Sequence, residues 1–131
     1  MKKILKYGSI ALLGLFVLTG CRTASVYNVD NSVIQANTSS SKVYAAIKNA
    51  GLSKGWIITK VSPGLAMGTI NLRSHKAVVE IPYTNKSFSI KYKNSLNLKY
   101  DSTKNEIHKN YNGWVQNLEN AINLELSRYA N

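Results

Sequence analysis

From residue 88 onward the chain alternates. Phe88, Ile90, Tyr92, Leu96, Leu98 and Tyr100 occupy even positions, while Ser89, Lys91, Lys93, Ser95, Asn97 and Lys99 fill the odd ones. A period of two puts the first set on one face of a β-strand and the second on the other, so one face is buried and the other meets water. Antiparallel sheets commonly take that form, whereas parallel sheets are covered on both faces. The segment therefore demands an antiparallel sheet with a single covered side. Asn94 interrupts the apolar register, and a bend or bulge is expected there.

Three further segments read as strands: Trp56 to Val61, Leu65 to Leu72 and Ala77 to Tyr83. Pro63-Gly64 suits a type II turn, Arg73-Ser74-His75-Lys76 reads as a polar connection, and Thr84-Asn85-Lys86 as a third turn. Two helices supply the cover. The Thr38-Ser39-Ser40-Ser41 cluster offers N-cap hydroxyls, and Val43, Ile47 and Ala50, with Tyr44 beside them, recur at helical spacing before Gly51, so a helix is expected over about residues 41–51. Thr103-Lys104-Asn105-Glu106 fits a capping box for a second. From there Ile107, Tyr111, Trp114, Val115, Leu118, Ile122, Leu126 and Tyr129 form a wide apolar stripe, opposed by Asn110, Gln116, Asn117, Glu119, Asn120 and Asn123. Gly113 costs this helix roughly 1 kcal/mol relative to Ala. The expected fold is α+β: a single domain with an antiparallel four- to five-stranded sheet, two helices on one face, and the order (β)αββββα.

The N-terminus carries a different signal. Met1-Lys2-Lys3-Ile4-Leu5-Lys6 is a basic start, and Ile10 to Leu18 is an apolar run interrupted only by Gly14. The run is far shorter than the roughly 20 residues that span a bilayer core, and it reads as a secretory signal. Leu18-Thr19-Gly20-Cys21 resembles the lipobox of bacterial lipoproteins, in which small residues precede a Cys that receives a diacylglyceryl group before cleavage. Cys21 is the only Cys, so a disulfide within the chain is excluded and lipidation gives that thiol a purpose. Residues 1–20 are then a signal peptide that is removed. Residues 21–38 are the lipidated Cys and a polar tether with a short edge strand around Val26-Tyr27-Asn28-Val29, and residues 39–131 are the globular domain. Residue 22 is Arg rather than Asp, which by resemblance to enterobacterial sorting rules favours the periplasmic side of the outer membrane.

Charge follows the same logic. The chain holds 17 Lys and Arg against 6 Asp and Glu, and removing residues 1–20 takes away three lysines and no acid, so the basic excess belongs to the domain. A high basic balance often signals nucleic acid, but the export signal and the lack of a recognition motif exclude it as the expected partner. Anionic lipid, anionic polymer or an envelope protein fits better.

The segments Gly55-Trp56, Pro63-Gly64, Arg73-Ser74-His75-Lys76-Ala77, Ile81-Pro82-Tyr83, Phe88-Ser89-Ile90-Lys91-Tyr92, Ser95 to Tyr100 and Ile107 to Val115 resemble a family of small proteobacterial lipoproteins over about residues 50–125. The resemblance implies the fold and the compartment but brings no assigned activity. The element order is also similar to the helix-grip domains of a lipoprotein subunit of the outer-membrane β-barrel assembly machine, a likeness of architecture alone.

Candidate sites are few. Arg73, His75 and Lys76 stand together at the tip of a hairpin and are suited to grip an anionic group. Lys91, Lys93 and Lys99 share one face of the last strand and, with Lys60 or Lys76 on neighbouring strands, would make a basic sheet surface. His108, at a helix start where the dipole disfavours a cation, reads as a surface residue, and Tyr83, Tyr92, Tyr100 and Tyr111 as core or core-edge residues. Two His and six carboxylates leave little for acid–base catalysis. No Gly-rich phosphate loop, metal cluster or nucleophile elbow is present, so no cofactor or metal is expected. The expected role is a membrane-anchored, non-catalytic binding or assembly module of the envelope. The alternatives are a small hydrolase or transferase using His75, and an enzyme-inhibitor or immunity lipoprotein acting through the hairpin at residues 72–77.

Overall fold

A computed structural model describes residues 22–130. The signal peptide expected at residues 1–20 and the lipidation site Cys21 lie outside the described residues.

The sheet is antiparallel throughout. Its five strands are β2 (Val29–Val33), β3 (Trp56–Ser62), β4 (Leu65–Leu72), β5 (His75–Pro82) and β6 (Ser87–Leu96), arranged in the order β2-β6-β5-β4-β3. A second sheet of two strands pairs β1 (Thr23–Ser25) with β7 (Glu106–His108). Helices α1 (Ser40–Ser53) and α2 (Lys109–Ser127) complete the α+β domain. The expected architecture is present, with the β1–β7 pair as an addition.

Local chemistry explains most boundaries. Ser39 Oγ accepts from the Lys42 amide at 3.3 Å and caps α1, as the Ser/Thr cluster suggested. Gly64 takes φ +83° in the Pro63-Gly64 turn, a backbone region that glycine enters freely. The period-two signal of β6 holds only from Phe88 to Tyr92: the bulge falls at Lys93, next to Asn94, so that Val78 faces Asn94 while Val79 already faces Tyr92. The expected place of Leu96 on the buried face is corrected, because beyond the bulge it turns to the open side opposite Lys76 and is 63% exposed, while Leu98 and Tyr100 lie past the end of the strand.

The core lies between the sheet and both helices. Trp56, Ile58, Ile70, Val79, Ile81, Phe88 and Ile90 from the sheet meet Val43 and Ile47 of α1 and Tyr111, Val115, Leu118 and Ile122 of α2. Among the described residues this one cluster draws on both helices and on every strand of the five-stranded sheet, so residues 22–130 share a continuous hydrophobic core. Gly68 on β4 makes room for Trp56 and Ile58: an added Cβ would sit 3.2 Å from Ile58 Cδ1 and 3.3 Å from Trp56 Cε3. Tyr83 and Tyr111 are buried and Tyr92 is half-buried, while Tyr100 stacks on Tyr92 at 4.1 Å and stays partly exposed.

Five expectations need correction. The segment 22–38 is built into the domain rather than trailing from it: β1 and β2 come from it, and Val29, Ile34 and Ala36 are buried. The edge strand is β2, which begins where Val26-Tyr27-Asn28-Val29 ends. The capping box at 103–106 does not form. Asp101 Oδ1 accepts from the amides of Thr103 (2.9 Å) and Lys104 (3.1 Å), closing a turn instead, and Ile107 enters the core from β7. Helix α2 starts after His108, expected as a surface residue but half-buried: its Nδ1 accepts from the Asn110 amide at 3.1 Å, making it the N-cap. Finally, the polar connection 73–76 shrinks to Arg73-Ser74, because His75 and Lys76 already pair with Leu72 and Asn71 in the β4–β5 ladder.

Candidate functional site

The register of the strands decides which side chains share a face. On the side away from the helices, Ile57, Thr69, Val78 and Asn94 form one row across β3, β4, β5 and β6, and Thr59, Met67, Glu80 and Lys91 form the next. Lys76 lies on this side opposite Leu96, and Lys93 reaches Glu80 at 3.7 Å, an exposed ion pair. The expected basic sheet surface is thus diluted: Ile57, Val61 and Leu96 are more than half exposed along it, and one of its lysines is paired with an acid. Lys60 is not part of it. It alternates in register with the buried Trp56 and Ile58 and stands opposite Ala66 on the helix side, where its ammonium lies 5.0 Å from the Tyr44 ring centroid. Lys99 is not part of it either, because β6 ends at Leu96 and Asn97 (φ 61°) and Lys99 (φ 55°) turn the chain away.

What the fold does gather lies at one end of the molecule. Arg73 and His75 line a shallow cleft of about 300 Å³ with Leu72, Asn110 and Trp114, so the hairpin tip and the first turn of α2 form opposite walls. The His75 and Trp114 rings are 6.5 Å apart. His75 Nδ1–H donates to the Asn97 carbonyl at 2.8 Å, and Asn97 Nδ2 donates to Ser74 Oγ at 3.0 Å, which clamps the hairpin tip onto the loop that carries Lys99. The next residue of that loop, Leu98, accepts from the His108 amide at 2.8 Å. Lys109 in turn donates its amide to the Arg22 carbonyl at 3.1 Å. Four segments distant in sequence thereby bring Arg22, Arg73, Lys99 and Lys109 to the same end, with two imidazoles between them.

The electrostatics register this crowding. His108 is held below the ordinary histidine range, first by burial and then by the charges of Lys99, His75, Arg22 and Lys109. A neutral ring is also what the N-cap requires, since a protonated Nδ1 has no lone pair to accept the Asn110 amide. The described residues contain two ion pairs, Lys93–Glu80 and Arg128–Glu125, and neither is here. Glu106, two positions before His108 on β7, forms none with these cations.

Of the residues singled out from sequence, Arg73, His75 and Lys99 converge on this end, while Lys76, Lys91 and Lys93 stay on the open sheet face. Trp114, Asn110, Lys109 and Arg22 belong to the cationic end and were not singled out as site residues. Trp114 belongs to the apolar stripe of α2 and is half-buried against the core, with its edge at the cleft, which no spacing in the sequence signals. Chemically the end suits binding of an anion. His75 engages a backbone carbonyl rather than a carboxylate, and among the described residues no three His, Cys, Asp or Glu are grouped to hold a metal. In comparisons with known proteins, the chain matches no family, no curated protein and no solved structure.

Proposed function

We propose that this chain is a lipid-anchored protein of the bacterial envelope, held through acylated Cys21 on the periplasmic side of the outer membrane, and that it binds another envelope component without catalysing a reaction. The observation that carries the reading is Leu18-Thr19-Gly20-Cys21 at the end of a basic and then apolar leader. Two acyl chains convert marginal membrane binding into stable anchoring, and the leader itself is too short to span a bilayer. The resemblance to small proteobacterial lipoproteins, drawn from sequence, agrees with it. The fold is compatible: among the described residues no helix is long and apolar enough to cross a membrane. The non-catalytic part of the proposal rests on His75, whose Nδ1 is taken up by the Asn97 carbonyl with no acid hydrogen-bonded to the ring.

The test is the mass of the mature N-terminus from membranes, together with in-cell crosslinking against a Cys21→Ala control. A diacylated Cys21 and a small set of envelope partners lost in the control support the proposal. An unmodified Cys21 overturns the anchoring, and turnover of a substrate that stops on His75→Ala overturns the non-catalytic part in favour of the hydrolase or transferase alternative.

A further inference from the structure

If Cys21 is the anchor, the position of the membrane relative to the fold is fixed by covalent geometry. One residue spans at most about 3.5 Å, and Arg22 is already bonded into the domain through Lys109. No spacer separates the acylated residue from the fold. Whatever shares that end of the domain therefore lies near the headgroups, within the Debye length of about 8 Å over which exposed charges act at physiological salt.

That end is the cationic one. The contacts from Arg22 to Lys109, from His108 to Leu98, and from Asn97 to His75 and Ser74 run continuously from the chain entry to the hairpin tip. Four of the six acids are committed elsewhere, Glu80 and Glu125 to ion pairs, Glu119 to the Tyr27 hydroxyl at 2.6 Å and Asp101 to its own turn, so the four cations of this end face at most Glu106, two residues before His108, which forms no ion pair with them. Arg73 takes φ 58° as the first of the two loop residues between Leu72 and His75, and Lys99 takes φ 55° in the loop after β6, so both cations are carried on tight turns that project at this end. Trp114 adds a half-buried indole at the cleft, the side chain that favours the interface between headgroups and acyl chains.

We propose that this end of the domain is a membrane-docking surface, on which Arg22, Arg73, Lys99 and Lys109 bind the phosphates of anionic lipid headgroups while Trp114 and His75 line the cleft that receives them. The proposal deepens the lipoprotein reading and rests on it for the placement of the bilayer. It gives the anchor a second contact, which sets the orientation of the domain: the hairpin tip and the start of α2 face the membrane.

The experiment uses the domain from Arg22 onward, free of acyl chains, and measures sedimentation with vesicles of phosphatidylglycerol and phosphatidylcholine against vesicles of phosphatidylcholine alone. Each Lys or Arg near an anionic leaflet raises binding about fivefold, so Lys99→Asn with Lys109→Gln lowers it about twenty- to thirtyfold. Asn suits the backbone of residue 99, and both side chains are exposed, so the variant keeps its fold. Lys91→Gln with Lys93→Gln removes the same charge from the open sheet face and lowers binding less than about fivefold, the equivalent of one cation near the leaflet. Equal losses from the two pairs, or equal binding to charged and neutral vesicles, overturn the proposal. So does saturable binding of inorganic phosphate at His75 and His108, followed by their ring resonances, without vesicle binding; that outcome assigns the end to a soluble anion. The mass of the N-terminus separates the two failures. An acylated Cys21 with vesicle binding indifferent to Lys99 and Lys109 removes the docking surface alone, and an unmodified Cys21 removes the anchor while the vesicle result still decides the surface.

Discussion

The amide of Lys109 donates to the carbonyl of Arg22 at 3.1 Å, which joins the first turn of α2 to the point where the chain enters the fold. Asn112, one turn further on, makes the joint two-sided. Its Oδ1 accepts from the Tyr27 amide at 2.9 Å and its Nδ2 donates to the Ser25 carbonyl at 2.8 Å, so one side chain satisfies two main-chain groups of the β1–β2 connection. Helix α2 is thus held by hydrogen bonds on one side and by the core on the other.

Asn112→Ala should therefore destabilise the domain by about 1–3 kcal/mol, because both backbone groups lose a partner in a half-buried setting. Urea denaturation reads this directly. Asn110→Ala, in the same turn but exposed, should change stability by less than about 0.5 kcal/mol.

Acid should weaken the fold through His108. Its folded value lies below the ordinary value of about 6.5, so the unfolded chain takes up the proton more readily than the native one. The stability contributed by the neutral ring is complete above pH about 6.5 and is lost as the pH falls through the folded value. Denaturation midpoints at pH about 7.5 and about 5 should differ in the wild type and differ less in His108→Asn, whose side chain caps without titrating. An undiminished difference would place the acid sensitivity in the carboxylates.

The two glycines Gly113 and Gly68 should answer oppositely to alanine. At Gly113, inside α2, an added Cβ meets nothing within 4 Å, so Gly113→Ala gains helix propensity and should stabilise by about 1 kcal/mol. At Gly68 the Cβ would press on Ile58 Cδ1 and Val79 Cγ2, each at 3.2 Å, and on the Trp56 ring. Gly68→Ala should cost about 1–3 kcal/mol, the usual penalty of overpacking. Thermal denaturation of the two variants gives shifts of opposite sign.

These sites also show how far local pattern reaches. The extents of β3 and β4, the cap at Ser39 and the turn at Pro63-Gly64 follow from period and turn chemistry within a few residues of each other, and they are legible in the sequence. The start of α2 is not. Thr103 to Glu106 has capping-box chemistry, but Asp101 competes for the same amides and wins, and pairing with β1, some eighty residues earlier, draws Glu106–His108 into a strand. The face of Lys60 is legible, since it shares parity with the buried Trp56 and Ile58, but the face of Leu96 is not, because the one-residue bulge at Lys93 reverses every inference made from parity beyond it. The cationic end is assembled from β1, the β4–β5 turn, the loop after β6 and the start of α2, so no spacing along the chain announces it.

Tyr111 carries a buried hydroxyl without a partner, and burial, followed by the neighbouring Tyr92 and Tyr100, raises its ionisation well above the ordinary tyrosine value. Removing the oxygen alone leaves the packing and relieves an unsatisfied group, so Tyr111→Phe should be neutral or stabilising by up to about 1 kcal/mol. Tyr111→Leu, which instead breaks the edge-on contact with Tyr92 at 5.7 Å, should destabilise by more than about 1 kcal/mol.

The two tryptophans divide the molecule into an interior and an exterior reporter. Trp56 is 1% exposed beneath α1, whereas Trp114 is half-buried and lines the cleft beside His75. Acrylamide should quench Trp114 and leave Trp56 shielded, so the emission that survives is the blue-shifted, buried component, and Trp114→Phe should abolish most of the quenching. If anionic headgroups dock at this end, vesicles containing phosphatidylglycerol should protect Trp114 from acrylamide and shift its emission to the blue, as expected of an indole moving toward the acyl boundary. Neutral vesicles should do neither, and salt should reverse the effect within the range over which exposed charges are screened. Protection that persists in high salt, or that remains in Trp114→Phe, would assign the change to some other face of the domain.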